Sequence, residues 1–112
     1  MSGDSDLPIG ALTVTLHADG DQLRLAVTGD IDIATREAFE RGVAEAIAKK
    51  PTTIVVDMAA VPFMDSTGIG VLVRGLTTFS ADGGTFYLVN CRPPIRRALE
   101  ITGVWALLTG EH

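Results

Sequence analysis

The stretch Val55-Val56-Asp57-Met58, followed after three residues by Pro62-Phe63-Met64-Asp65-Ser66-Thr67-Gly68-Ile69-Gly70-Val71-Leu72, decides how this chain folds. Thr53 to Val56 is rich in β-branched residues and lacks polar alternation, the pattern of a central strand covered on both faces. From about Ser66 to Phe79 the pattern changes to helical spacing, with Ile69, Leu72, Val73 and Leu76 on one side and the breaker Asp82-Gly83-Gly84 beyond. A buried strand therefore hands the chain through a short loop to a helix, and Ser66 stands where that helix begins.

The flanking segments extend the same α/β alternation. Upstream, Leu12, Val14, Leu16 and Leu23, Leu25, Val27 each alternate with polar or small residues, and Ala18-Asp19-Gly20-Asp21 between them has turn chemistry, which predicts an antiparallel hairpin. Between hairpin and central strand, Phe39, Val43, Ala46 and Ile47 recur at helical spacing within Ala34 to Lys49, opposite Arg36, Glu37, Glu40, Arg41 and Glu45, and Pro51 closes that helix. Downstream, Thr85 to Val89 reads as a strand and Pro94 to about Thr102 as a helix, with Ile95, Leu99 and Ala98 facing inward and Gly103 ending it. Val104 to Leu108 fits either a further helical turn or a short edge element, with Trp105 covering the core. The order strand, strand, helix, strand, helix, strand, helix implies a small α/β domain with a mixed sheet and right-handed crossovers.

Size and charge narrow the function. A chain of 112 residues, 46% hydrophobic, suits one domain burying roughly two thirds of its unfolded surface. Residues 1–10 are expected to form a flexible N-terminus and 11–112 the single domain. Apolar runs are broken by Gly, Asp or Arg well before the roughly 20 residues of a membrane span, and the start carries Asp4 and Asp6 but no basic residue, which predicts a soluble cytoplasmic protein. Cys91 is the only cysteine, so neither an internal disulfide nor a cysteine-based zinc site can form within one chain. A net charge of -5 and pI near 4.8 argue against nucleic-acid binding, which needs a basic face to displace counterions. Arg92, Arg96 and Arg97 form the one small basic cluster, read as a solvated helix face.

The chemistry concentrates at Ser66. The first amides of a helix lack partners and its dipole is positive there, so an anion is favoured by about 0.3–1 kcal/mol. Ser66 is thus either an N-cap or a serine suited to carry a phosphoryl group. Gly68, Gly70 and Gly75 each weaken a helix by roughly 0.8–1 kcal/mol relative to Ala, which points to a close approach, whether by a partner or by the domain's own sheet. Met64-Asp65-Ser66-Thr67-Gly68 lacks the first glycine of a nucleophile elbow, and neither His17 nor His112 is placed to act as base, so no catalytic residue is assigned. With no G-x-x-x-x-G-K-[ST] loop and no metal-ligand spacing, no cofactor and no metal are expected.

Phe63-Met64-Asp65-Ser66-Thr67-Gly68-Ile69-Gly70-Val71-Leu72, preceded by Val55-Val56-Asp57, resembles the signature of STAS domains that antagonise anti-sigma factors. Gly29-Asp30-Ile31-Asp32 and Arg96-Arg97-Ala98-Leu99-Glu100-Ile101-Thr102-Gly103 match as well, so the resemblance spans nearly the whole chain. It implies a mixed sheet with an N-terminal hairpin and three or four helices packed mainly on one face, working as a monomer or weak dimer. It also implies that Ser66, with Thr67 as competing acceptor, is phosphorylated by the partner, an anti-sigma factor that is itself a serine kinase, and is restored by a metal-dependent serine phosphatase. Asp32 matches an acidic position near the kinase contact, or simply N-caps the first helix. Asp30, Asp32, Asp65, Ser66, Thr67, Gly68 and Gly70 make up the expected partner-binding surface. The competing reading within the family is an adaptor subunit of a lipid-transport ATPase, which needs no phosphorylatable serine at this place.

Overall fold

A computed structural model of the chain describes residues 11–110. The expected flexible segment 1–10 lies outside the described residues. The element order is β1 (Thr13–Asp19), β2 (Gln22–Thr28), α1 (Arg36–Ala48), β3 (Thr53–Ala60), α2 (Ser66–Ala81), β4 (Thr85–Val89), α3 (Pro93–Ile101) and α4 (Trp105–Thr109). The ambiguous Val104–Leu108 segment is thus resolved as a short helix. The four described strands form one sheet in the order β1-β2-β3-β4, with β1 antiparallel to β2 and the other pairs parallel. Gly20, at φ +61°, supplies the left-handed residue of the β1–β2 turn.

One face of this sheet carries the helices. Leu23, Leu25 and Val27 of β2, Ile54, Val56 and Met58 of β3, and Phe86 and Leu88 of β4 point into a single core. Phe39 and Val43 of α1, Leu72 and Phe79 of α2, Ile95 and Leu99 of α3 and Leu108 of α4 complete it from the other side. The period-2 and period-3.6 patterns read from the sequence are the two halves of this contact. Trp105 is half-buried against the core, and the guanidinium of Arg96 lies 4.7 Å from its ring centroid. Arg96 also bonds Glu100 at 3.2 Å, and Arg92 donates to the Ala59 carbonyl at 2.9 Å. Two of the three clustered arginines therefore serve the fold, in keeping with a solvated helix face. Cys91 is half-buried, and burial pushes its thiol up to about 11, so it is not a thiolate at neutral pH.

The main departure from expectation is the length of β3. The strand continues through Asp57 to Ala60, and Ile54, Val55, Val56, Asp57 and Met58 are all buried. A carboxylate can occupy a central strand here because each of its oxygens is matched. Asp57 Oδ2 bonds the Arg24 guanidinium on β2, while Oδ1 accepts from Asn90 Nδ2 at 3.1 Å and from the Ala59 amide at 3.0 Å. Burial raises the Asp57 pKa, but the Ala59 amide, Arg24 and Asn90 outweigh it and hold the carboxyl below the usual 3.8. The remaining boundaries move by two residues or fewer, as fraying ends do: α1 starts at Arg36 rather than Ala34, and α3 starts at Pro93.

A carboxyl whose pKa is depressed on folding stabilises the folded state above the unfolded value and loses that contribution as pH falls through the folded one. Asp57→Asn is therefore expected to lose about 1–3 kcal/mol at pH 7. It should also show a shallower stability loss than the parent below pH 3.8, checked by urea denaturation across that range. Equal stability of the two proteins at pH 7 would remove the Arg24–Asp57–Asn90 cluster from the account.

Candidate functional site

The loop leaving β3 is tied to the segment leaving β2. Ile31 and Met64 form an isolated parallel bridge: the Ile31 amide donates to the Phe63 carbonyl at 2.9 Å, and the Asp65 amide donates to the Ile31 carbonyl at 3.1 Å. Ile31 and Met64 are buried, so the residues beside them turn outward. This brings the Asp30–Asp32 segment, distant in sequence, against the start of α2. The expected neighbourhood of Asp30, Asp32, Asp65 and Ser66 is thus present at the level of the backbone.

Asp65, not Ser66, caps α2. Its extended backbone (φ -99°, ψ -173°) and its side chain, which accepts from the Thr67 amide at 2.9 Å, are those of an N-cap. The capping role open to Ser66 in the sequence is therefore overturned: Ser66 is the first residue of the helix, and its exposed side chain bonds no other described residue. Thr67 is different. Its hydroxyl donates to Asp65 Oδ1 at 2.5 Å and it is half-buried. The Thr67 hydroxyl, opposed by the cost of burial and aided by the Thr67 and Gly68 amides, holds the Asp65 carboxyl below 3.8. Of two adjacent hydroxyls, that of Thr67 is engaged and that of Ser66 has no partner among the described residues.

Asp32 does not cap α1 either. Its Oδ1 accepts from the Ala34 amide at 3.0 Å and the Thr35 amide at 3.1 Å, closing a tight turn of its own. Thr35, the residue before α1, makes no side-chain cap; its hydroxyl donates back to the Asp30 carbonyl at 2.8 Å and accepts from the Asp32 amide at 3.0 Å. The correction has a simple cause. The carboxylate spends its acceptor on the turn, and the helix starts one residue after Thr35.

The three glycines separate into two kinds. At Gly68 a Cβ would lie 2.6 Å from both Ile31 Cγ2 and Met64 Cγ, and at Gly75 it would lie 3.0 Å from Val43 Cγ1 and 3.2 Å from Phe86 Cζ. Both are needed for the helix to approach the bridge, α1 and β4. Gly70 faces outward, where a Cβ would meet nothing nearer than Arg74 Nη1 at 3.4 Å.

Two residues not singled out in the sequence also belong to this surface. Ile33 is 80% exposed and Phe63 50% exposed, on the two segments that the Ile31–Met64 bridge joins. Both lie outside the spans read as strand or helix, so periodicity had no inward face from which to find them turned away. Among the described residues no three His, Cys, Asp or Glu side chains gather so as to hold a metal ion, and no helix is long and apolar enough to cross a membrane.

Residues 13–109 match the STAS domain. The chain belongs to the STAS domain family. A STAS-domain containing protein of Pseudomonas aeruginosa is 29% identical over 92 residues, covering 82% of this chain and 90% of that protein. The anti-sigma-F factor antagonist RsfB of Mycobacterium tuberculosis is 36% identical over 62 residues, 55% of this chain and 51% of RsfB. In three dimensions the crystal structure of an anti-sigma factor antagonist from Mycobacterium paratuberculosis superposes with a TM-score of 0.78 at 26% identity, covering 87% of this chain and 82% of that one.

The glycine geometry gives a direct check. Gly68→Ala is expected to destabilise the domain, because overpacking of about 1–3 kcal/mol exceeds or cancels the helix-propensity gain of about 1 kcal/mol. Gly70→Ala, which meets only a mobile guanidinium, should gain up to about 1 kcal/mol. Thermal melts of the two variants beside the parent decide it, and the opposite order would mean that α2 does not sit on the Ile31–Met64 bridge as described.

Proposed function

We propose that this protein is an anti-sigma-factor antagonist: unphosphorylated, it docks on an anti-sigma factor serine kinase and releases the sigma factor, and phosphorylation of Ser66 switches it off. The observation that carries this is the contrast at the start of α2, where Ser66 is exposed and unengaged while Thr67 is bonded to Asp65. Membership of the STAS family and the names of its relatives RsfB and the Mycobacterium paratuberculosis protein support the same reading.

In the reaction the Ser66 Oγ attacks the γ-phosphorus of ATP, its proton passes to a base of the kinase, and ADP leaves. A metal-dependent phosphatase reverses the modification by delivering water to phosphorus, releasing inorganic phosphate and restoring the hydroxyl. Both steps place the protein in the cytoplasm, with ATP and the sigma factor.

The docking surface combines apolar and acidic elements. Ile33 and Phe63 give it desolvatable area, and Asp30, Asp32 and Asp65 give it negative charge. A phosphoryl group adds about -1.5 to -2 charges beside those carboxylates. Binding is then lost through like-charge repulsion and desolvation while the fold stays intact.

Incubation with ATP and the kinase partner, followed by intact mass and site mapping, is expected to show one phosphoryl group on Ser66. Ser66→Ala should show none, and Thr67→Val should still be modified. Ser66→Asp should bind the partner at least about tenfold more weakly, a loss near 1.4 kcal/mol. A phosphoryl group retained on Ser66→Ala would move the acceptor elsewhere, and an unmodified parent would turn the reading toward a transport-ATPase adaptor.

A further inference from the structure

We propose that Arg74 is the internal counter-ion of phosphorylated Ser66, so that modification moves its guanidinium from Glu40 on α1 to the phosphoryl group. The inference rests on Ser66 being the acceptor and adds a consequence inside the domain.

Ser66, Gly70 and Arg74 are spaced four residues apart and share one face of α2, and Arg74 is the only basic residue of that helix. Helical side chains lean toward the N-terminus, which for Arg74 is toward Ser66. The leaning is visible: Arg74 Nη1 lies 3.4 Å from where a Cβ of residue 70 would be. The guanidinium thus lies back over bare backbone, one turn short of the acceptor. The Cβ atoms of residues 66 and 74, two turns apart, are separated by about 12 Å, a span that an extended arginine and a phosphoserine reaching toward each other along the helix can bridge.

Of the first amides of α2, those after Ser66 are already engaged, which leaves the Ser66 amide as the backbone donor beside the phosphoryl position. The Thr67 amide is taken by the Asp65 carboxylate, and the Gly68 and Ile69 amides donate to the Asp65 carbonyl. The Asp65 carboxylate itself is adjacent and repels a dianion. Arg74 is 62% exposed, so burial does not resist its movement. Its present partner is the half-exposed Glu40 at 3.1 Å, and Glu40 also pairs with Arg36 at 3.5 Å, so the carboxylate keeps a cation when Arg74 leaves. An exposed carboxylate pair is weak, and a bidentate phosphate–arginine pair is stronger. The exchange therefore favours the phosphoryl group and releases the ionic clasp between α1 and α2.

The test uses the full chain with phosphoserine genetically encoded at position 66 and follows its second ionisation by ³¹P NMR. An adjacent cation favours the dianion, so Arg74→Gln is expected to raise that pKa by about half a unit, and Arg74→Lys to raise it less. Arg41→Gln, on the side of α1 turned toward β1, should leave it at the parent value. Coincident titrations of Arg74→Gln and Arg41→Gln, or a rise on Arg36→Gln in place of Arg74→Gln, would overturn the pairing. Because the phosphoryl group is installed during translation, these outcomes do not depend on any kinase. Failure of the labelling experiment on Ser66 would refute the acceptor assignment, whereas a flat titration would refute Arg74 alone.

Discussion

The parallel bridge between Ile31 and Met64 is the constraint on which the site depends. Two backbone hydrogen bonds join the exit of β2 to the exit of β3 and bury the side chains of both residues beneath α2. Backbone groups this close to the core need partners, and the bridge supplies them without extending the sheet. It also sets the height of α2, because residue 68 must lack a side chain for the helix to rest on Ile31 and Met64. Asp30, Ile33, Phe63 and Ser66 take their places from that single junction.

The bridge is backed by a sheet with an uneven load. All four described helices put their buried residues into one core on one face, and the central strand is buried on both. On the helix-free side β3 holds a carboxylate between Arg24 and Asn90, so its polar interior is satisfied within the sheet and the following turn. This gives the loop before α2 a rigid base. The phosphorylation proposed for Ser66 would then act on surface charge, with little leverage on the packing below.

Asp65 settles the chemistry of two neighbouring hydroxyls. By accepting from both the amide and the hydroxyl of Thr67, it closes the helix start and withdraws Thr67 from solvent-facing chemistry. Ser66, one position earlier, is exposed and takes no part in the same cap. The capping carboxylate also occupies the positive end of the helix, so the anion-binding capacity that a bare helix start would offer is already used by the protein itself. Any charge added at Ser66 meets an acidic surface and must find its cation along the helix.

The fold class was legible in the sequence because it is written in periods: alternation in Leu23-Leu25-Val27, helical spacing from Ile69 to Leu76, and breakers at Pro51 and Asp82-Gly83-Gly84 are local signals that packing had no reason to contradict. The family was legible too, through the resemblance of residues 55–72 to its signature. What each residue does there was not. Whether Asp65 or Ser66 caps α2, and whether Asp32 caps α1 or its own turn, depends on which acceptor reaches which amide within about 3 Å. The roles of Gly68 and Gly70 differ only because one faces a bridge formed by a segment more than thirty residues earlier in the chain and the other faces solvent. Sequence alone determined the elements and their order, since those follow from side-chain chemistry read every two or every 3.6 residues. The tertiary structure alone decided what α2 rests on and which of its glycines must lack a side chain, since those follow from contacts between segments that no local period encodes.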